Sequence, residues 1–123
     1  MPVRYLLDTN TASYIIKGNF PRVRQRLVKV PMAAVGVSAV TEAELRYGVA
    51  KHPEAARLSV IVEEFLLRVE ALPWDSAAAE QYGHLRATLE RAGQSLGNLD
   101  LMIAAHALAL KTILLPMTSH FGA

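Results

Sequence analysis

The 123-residue sequence predicts an α/β fold in which a mostly parallel central sheet is flanked by helices. Three observations carry that reading. Short β-prone runs (residues 3–7, 35–38, 69–72 and 112–115) alternate with longer stretches of helical periodicity. The run at residues 35–38 reads as a buried strand. Cap-forming residues stand at the junctions where strands give way to helices.

Taken in order, Val3-Arg4-Tyr5-Leu6-Leu7 stops at Asp8-Thr9-Asn10, three residues that favour helix caps, so a helix starts there and reaches about Lys17. Gly18-Asn19 ends it, and Pro21 suits the first turn of a second helix running to about Lys29. Val35-Gly36-Val37-Ser38 is a second strand. Helices over residues 40–50 and 53–70 follow, with a short strand at 69–72. Asp75-Ser76 cap a long helix that ends at Gly93. Gly97-Asn98 introduce an apolar helix to about Leu110, before the last strand at 112–115. No repeat or linker interrupts the chain, so a single domain over residues 1–123 is expected.

Composition narrows the function classes. Hydrophobic residues at 52% against 20% charged exclude a disordered chain. With no cysteine, disulfide frameworks, thiolate zinc sites and cysteine nucleophiles are excluded. No apolar stretch is long enough to span a bilayer, and the first residues lack the apolar core of a signal peptide, so a soluble cytoplasmic protein is expected. The formal charge of +2 permits nucleic-acid binding without arguing for it. There is no G-x-S-x-G, G-x-G-x-x-G or P-loop motif.

Of eleven acids, most lie beside arginines on helical faces where solvation explains them. Asp75 reads as an N-cap. Asp8, Glu44 and Asp100 are different. Asp8 ends the first strand, and in parallel sheets sites form outside the carboxyl ends of strands; position alone also allows it to cap the next helix. At 100° per residue Glu42 pairs with Arg46, whereas Glu44 falls on the stripe of Val40, Ala43 and Tyr47, expected to face inward. The alternative for Glu44 is a capping box, Thr41-x-x-Glu44. Asp100 begins a helix that is otherwise apolar on every side, which predicts burial. A buried carboxylate costs several kcal/mol without a partner, roughly, and a helix dipole returns only ~0.3–1 kcal/mol. Three inward acids suggest a hard divalent cation on oxygen ligands, suited to phosphodiester hydrolysis.

Tyr5-Leu6-Leu7-Asp8-Thr9-Asn10, then Ser38-Ala39-Val40-Thr41-Glu42-Ala43-Glu44-Leu45-Arg46-Tyr47-Gly48, then Gly97-Asn98-Leu99-Asp100-Leu101-Met102-Ile103-Ala104-Ala105-His106-Ala107 together resemble PIN-domain ribonucleases, and within them the VapC toxins of toxin–antitoxin operons. The resemblance covers residue 3 to about 115. It implies a PIN-like fold and an endoribonuclease dependent on Mg²⁺ or Mn²⁺. Asp8 and Asp100 become the main metal ligands and Glu44 the third acid, with Thr9 and Asn10 shaping the site. It also implies a structured RNA substrate, commonly tRNA, a VapB-like antitoxin and a homodimer. After Leu115 the sequence departs from the family: no carboxylate side chain follows Asp100, so the C-terminal end is expected to be atypical or truncated after about residue 115, and metal affinity reduced. The alternative function is a weakly active or inactive PIN module that mainly binds an antitoxin.

Arg22, Arg26 and Lys29 share a face of the expected second helix, either as a phosphate-contacting patch for RNA or as a solvated face. His106 points about 120° away from Asp100 and reads as a packed helix residue rather than a base. Trp74 either stacks on RNA or covers an edge of the core.

Overall fold

The structure, a computed structural model, describes residues 3–18 and 31–115. The patch formed by Arg22, Arg26 and Lys29 lies outside these residues, as does the atypical end after Leu115.

The element order is β1 (Tyr5–Leu7), α1 (Thr9–Lys17), a 3₁₀ turn (Met32–Ala34), β2 (Val35–Ser38), α2 (Ala39–Ala50), α3 (Ala56–Arg68), β3 (Glu70–Leu72), α4 (Ser76–Arg91), α5 (Asn98–Leu110) and β4 (Ile113–Leu115). The four strands form one sheet in the order β3-β2-β1-β4, with every pairing parallel. The register sets Leu7 against Val37 on one side and Leu115 on the other. The mostly parallel α/β sheet expected from the sequence is therefore present.

Successive residues of a strand point to opposite faces, and β1 divides the core accordingly. Leu7 joins Val35, Val37, Ala12, Leu45, Val62 and Phe65 beneath α1, α2 and α3. Leu6 packs the other way, with Ile103 and Ala107 of α5 and the partly buried Trp74 and Leu114. Leu6 and Leu7 are both 0% exposed, and each contributes roughly 1.5–3 kcal/mol by burial. The middle strand explains Gly36: a Cβ there would stand 3.0 Å from Val3 Cγ1 and 3.1 Å from the Glu70 carbonyl oxygen. Only a residue without a side chain lets β2 and β3 approach this closely.

Helix boundaries follow cap chemistry. Asp8 caps α1, its Oδ1 accepting from the Thr11 N–H at 2.8 Å, and Gly18 closes that helix at φ 72°. Asp75 caps α4 through the Ala78 N–H. The helix expected over 53–70 is shorter, Ala56–Arg68. Residues 52–55 form turns bonded back to Val49 and His52, and Val69 is already extended (φ −115°, ψ 155°), which gives Glu70 to the sheet. Among the described residues no helix is long and apolar enough to cross a membrane.

Candidate active site

Because all four strands run the same way, their carboxyl ends lie at one end of the sheet. Asp8 follows Leu7 there, beside Ser38 of β2 by register. It is buried, and its carboxylate sits at the positive end of α1, held by the Thr11 N–H. Thr11 in turn donates its hydroxyl to the Leu115 carbonyl oxygen at 2.6 Å, fixing the helix start against β4.

Glu44 is brought to the same end by a partner 35 residues away. The Thr9 hydroxyl donates to Glu44 Oε1 at 2.5 Å and lies 3.3 Å from the fully buried Thr41 Oγ1. This arrangement corrects two expectations. The capping box is absent: α2 starts earlier, with Ser38 as N-cap accepting from the Val40 N–H at 3.1 Å, so Thr41 is already inside the helix. The Val40-Ala43-Tyr47 stripe is not the inward face either. Ala43 and Tyr47 are exposed, and the buried residues of α2 are Val40, Thr41 and Leu45. A buried threonine turned the inward face away from the stripe that hydrophobicity suggested. Glu44 sits half-buried at its edge, turned toward α1. The Glu42–Arg46 pair forms as expected (2.9 Å), and Arg46 also reaches Glu63 of α3 at 2.6 Å.

Asp100 is exposed, against the expectation of burial. The apolar helix does pack, but its buried residues begin at Leu101 and continue through Ile103, Ala105, His106 and Ala107. Since α5 leads into the parallel strand β4, it runs back along the sheet, and its exposed first turn lies toward the strands' carboxyl ends. Asp100 therefore carries no burial cost that needs a partner. Asn10 is exposed on the first turn of α1. Thr9 and Glu44 are thus joined by a direct hydrogen bond, Asp8 adjoins Thr9 in sequence, and Asp100 lies at the same end of the sheet by topology. Among the described residues no three His, Cys, Asp or Glu side chains close around a metal position. The donors gathered here are carboxylate and hydroxyl oxygens, the set a hard divalent cation takes, and Mg²⁺ needs only one or two protein carboxylates because it keeps several waters. The residues fit such an ion on that basis.

A cleft of about 360 Å³ opens beside Thr9 and Glu44, floored by Ile16, Leu45, Leu58 and Val62 and rimmed by Lys17, Lys51 and His52. On the opposite face of the sheet, Trp74 Nε1 donates to the Met102 carbonyl at 2.9 Å and its ring meets Tyr82 edge-on, so it covers the core edge as one of its two readings held.

One pair was not visible in the sequence. His106 is 1% exposed, and its Nδ1 is hydrogen-bonded to Ser38 Oγ at 2.8 Å, while Nε2 is buried without a hydrogen-bond partner. Burial pushes its pKa below the ordinary histidine value; the Asp75 carboxylate and the Pro73 carbonyl act in the opposite direction without overcoming it. The packed-residue reading of His106 holds, but the packing is polar on one side.

Comparisons with known proteins bear on the family and the fold. The PIN-domain family model matches residues 5–118. The tRNA(fMet)-specific endonuclease VapC of Shigella flexneri is 37% identical over 105 residues, which are 85% of this chain and 79% of that protein. Among solved structures, the DNA-bound VapBC complex of Salmonella typhimurium superposes with a TM-score of 0.88 at 33% identity, covering 96% of this chain and 89% of that one. VapBC2 of Rickettsia felis, bound to a fragment of its promoter, gives 0.84 at 31% identity over 98% and 90%. PIN-domain ribonucleases generally use a divalent metal. By motif order, parallel-sheet topology and similarity over most of its length, the chain belongs to the PIN-domain family and, within it, to the VapC ribonucleases of toxin–antitoxin systems.

Proposed function

We propose that the protein is a Mg²⁺-dependent endoribonuclease toxin that hydrolyses phosphodiester bonds in structured RNA, tRNA being the foremost candidate, in the cytoplasm. The observation that carries the reading is the Thr9–Glu44 hydrogen bond beside the capped carboxylate of Asp8 at the carboxyl end of a parallel sheet. Asp8, Glu44 and Asp100 are the residues that would hold the metal, with Mn²⁺ as the alternative ion. When bound, the metal supplies a water of lowered pKa and offsets the charge that develops on the phosphate.

The chain's own residues do the rest. The Thr11 N–H holds one oxygen of Asp8, so this carboxylate is oriented before any ligand arrives. Thr9 fixes Glu44 through one of its two oxygens. Asp100, exposed on the first turn of α5, would offer its carboxylate to the metal from the solvent side. Lys17 and Lys51 on the cleft rim offer cations to the RNA backbone, beside the patch proposed at Arg22, Arg26 and Lys29. A VapB-like antitoxin covers this end of the sheet, the toxin is a homodimer, and the one domain spans residues 1–123.

The test is RNA cleavage with Mg²⁺ and with EDTA. Asp8→Asn, Glu44→Gln and Asp100→Asn should each lose cleavage, while Glu42→Gln, whose partner is Arg46, should keep it. A wild-type protein that binds its antitoxin yet cuts no RNA at any Mg²⁺ concentration would overturn this reading in favour of a binding module.

A further inference from the structure

We infer that His106 and Ser38 are positioning residues: their buried hydrogen bond sets the helix carrying Asp100 against the helix carrying Glu44. The inference rests on the metal-dependent reading above and concerns residues to which that reading gives no role.

Burial alone does not account for this histidine. A helix position 1% exposed, among Ile103, Ala105 and Ala107, takes an aliphatic side chain well. An imidazole there leaves Nε2 without a hydrogen bond, which costs stability rather than adding it. What the imidazole does, and an aliphatic residue could not, is reach Ser38 across 68 residues of sequence at 2.8 Å. Ser38 has a second task in the fold. It is the last residue of β2 and the N-cap of α2, accepting from the Val40 N–H. Three residues further along α2, Thr41 lies against Thr9, and three beyond that Glu44 accepts from Thr9. Side-chain hydrogen bonds thus run from α5 through the cap of α2, and from α2 to the residue that follows Asp8.

The lever is short and stiff. Asp100 lies six residues before His106, roughly 9 Å along the helix axis. Between them, the Met102 carbonyl accepts from Trp74 Nε1, a second anchor on the same rod. Fixing α5 at these two points fixes where its exposed first turn stands. Misplacement by about 1 Å can cost on the order of 10²-fold in rate.

The experiment compares wild type with His106→Leu, which keeps bulk and removes the bond, and with Ser38→Ala and the double variant. His106→Asn is the rescue, because the asparagine amide occupies the place of Nδ1. The readouts are kcat and KM for RNA cleavage, Mn²⁺ affinity by calorimetry on protein without RNA, and thermal unfolding. His106→Leu and Ser38→Ala should each lower kcat and Mn²⁺ affinity roughly 10-fold, with KM for RNA unchanged, as losses in the shell behind metal ligands do. The double variant should be no worse than either single one, and His106→Asn should stay within about 3-fold of wild type. A folded His106→Leu with wild-type kcat and Mn²⁺ affinity overturns the inference, as do losses that multiply in the double variant. If His106→Leu does not fold, Ser38→Ala decides: an unchanged Mn²⁺ affinity there overturns it equally. Asp8→Asn separates the two layers. Full Mn²⁺ affinity and cleavage in that variant would overturn the metal reading and this inference with it. A loss in Asp8→Asn beside an unchanged His106→Leu overturns the inference alone.

Discussion

Replacing Thr9 by valine removes one hydroxyl and little else, which makes it the sharpest probe of how Glu44 is held. The hydroxyl donates to Glu44 Oε1 at 2.5 Å and touches Thr41 Oγ1 at 3.3 Å. A hydroxyl carries a single proton, and the shorter contact to a carboxylate takes it. A hydrogen bond to a charged group contributes about 1.5–3 kcal/mol net. Glu44 is only half-buried, so water replaces part of what is lost, and the lower end, about 1.5 kcal/mol, is the expected cost. In a domain of this size that lowers Tm by roughly 5 °C. Thr9→Ser, which keeps the hydroxyl, should recover most of it. The assay is urea unfolding of Thr9→Val, Glu44→Gln and the pair combined. If the two side chains are coupled as the structure shows, the cycle should return an interaction of about 1 kcal/mol. A coupling below about 0.5 kcal/mol, the ordinary scatter of independent sites, would refute the reasoning. Cleavage by Thr9→Val should fall in parallel, since a carboxylate freed from its donor samples more than one rotamer.

Three further outcomes are expected. His106 has a folded-state pKa below its unfolded value near 6.5, so the unfolded chain binds the proton more readily: stability should decline as pH falls below about 6.5 and level off beneath the folded pKa, and His106→Asn should flatten that slope in denaturation curves taken between pH 7 and 4.5. Gly36→Ala places a Cβ 3.1 Å from the Glu70 carbonyl, where backbone must move, and should cost about 1–3 kcal/mol in urea unfolding; a neutral result would mean β2 and β3 part easily. Lys111 closes α5 at φ 57°, a left-handed conformation that suits glycine, so Lys111→Gly should raise Tm by a few degrees, about 1 kcal/mol, and an unchanged melting curve would show the strain is absorbed elsewhere.

What the sequence shows and what it hides divide along range of interaction. The caps at Asp8, Gly18 and Asp75 were legible because they depend on neighbours within three or four residues. The strands of the sheet were legible as short β-prone runs between helical stretches, most plainly β2, whose four residues are all buried. The site was legible in type but not in placement. Glu44 owes its position to Thr9, 35 residues away, whereas periodicity put it on the stripe of Val40, Ala43 and Tyr47 and the Thr41-x-x-Glu44 spacing offered a capping box. The apolar surroundings of Asp100 suggested burial, yet how a helix lies along its sheet is set by the strand that follows it, which no helical wheel records. His106 and Ser38 are each unremarkable alone and acquire meaning only from the 68 residues folded between them.

The position of β1 has a consequence for synthesis. The first of the described strands occupies the middle of the sheet, and the strand on its far side is the last one described, with Thr11 bonded to Leu115 across 104 residues. A ribosome adding about 5–20 residues per second needs roughly 5–20 s to cover that interval. Through this time the nascent chain can pair β1 with β2 but holds the other edge open, a bare template for a neighbouring chain. The helix bearing Asp100 emerges just before the closing strand. The proposed carboxylate set therefore stays incomplete until Asp100 has emerged, some ninety residues after Asp8, and the first acid waits in a half-built sheet for the last.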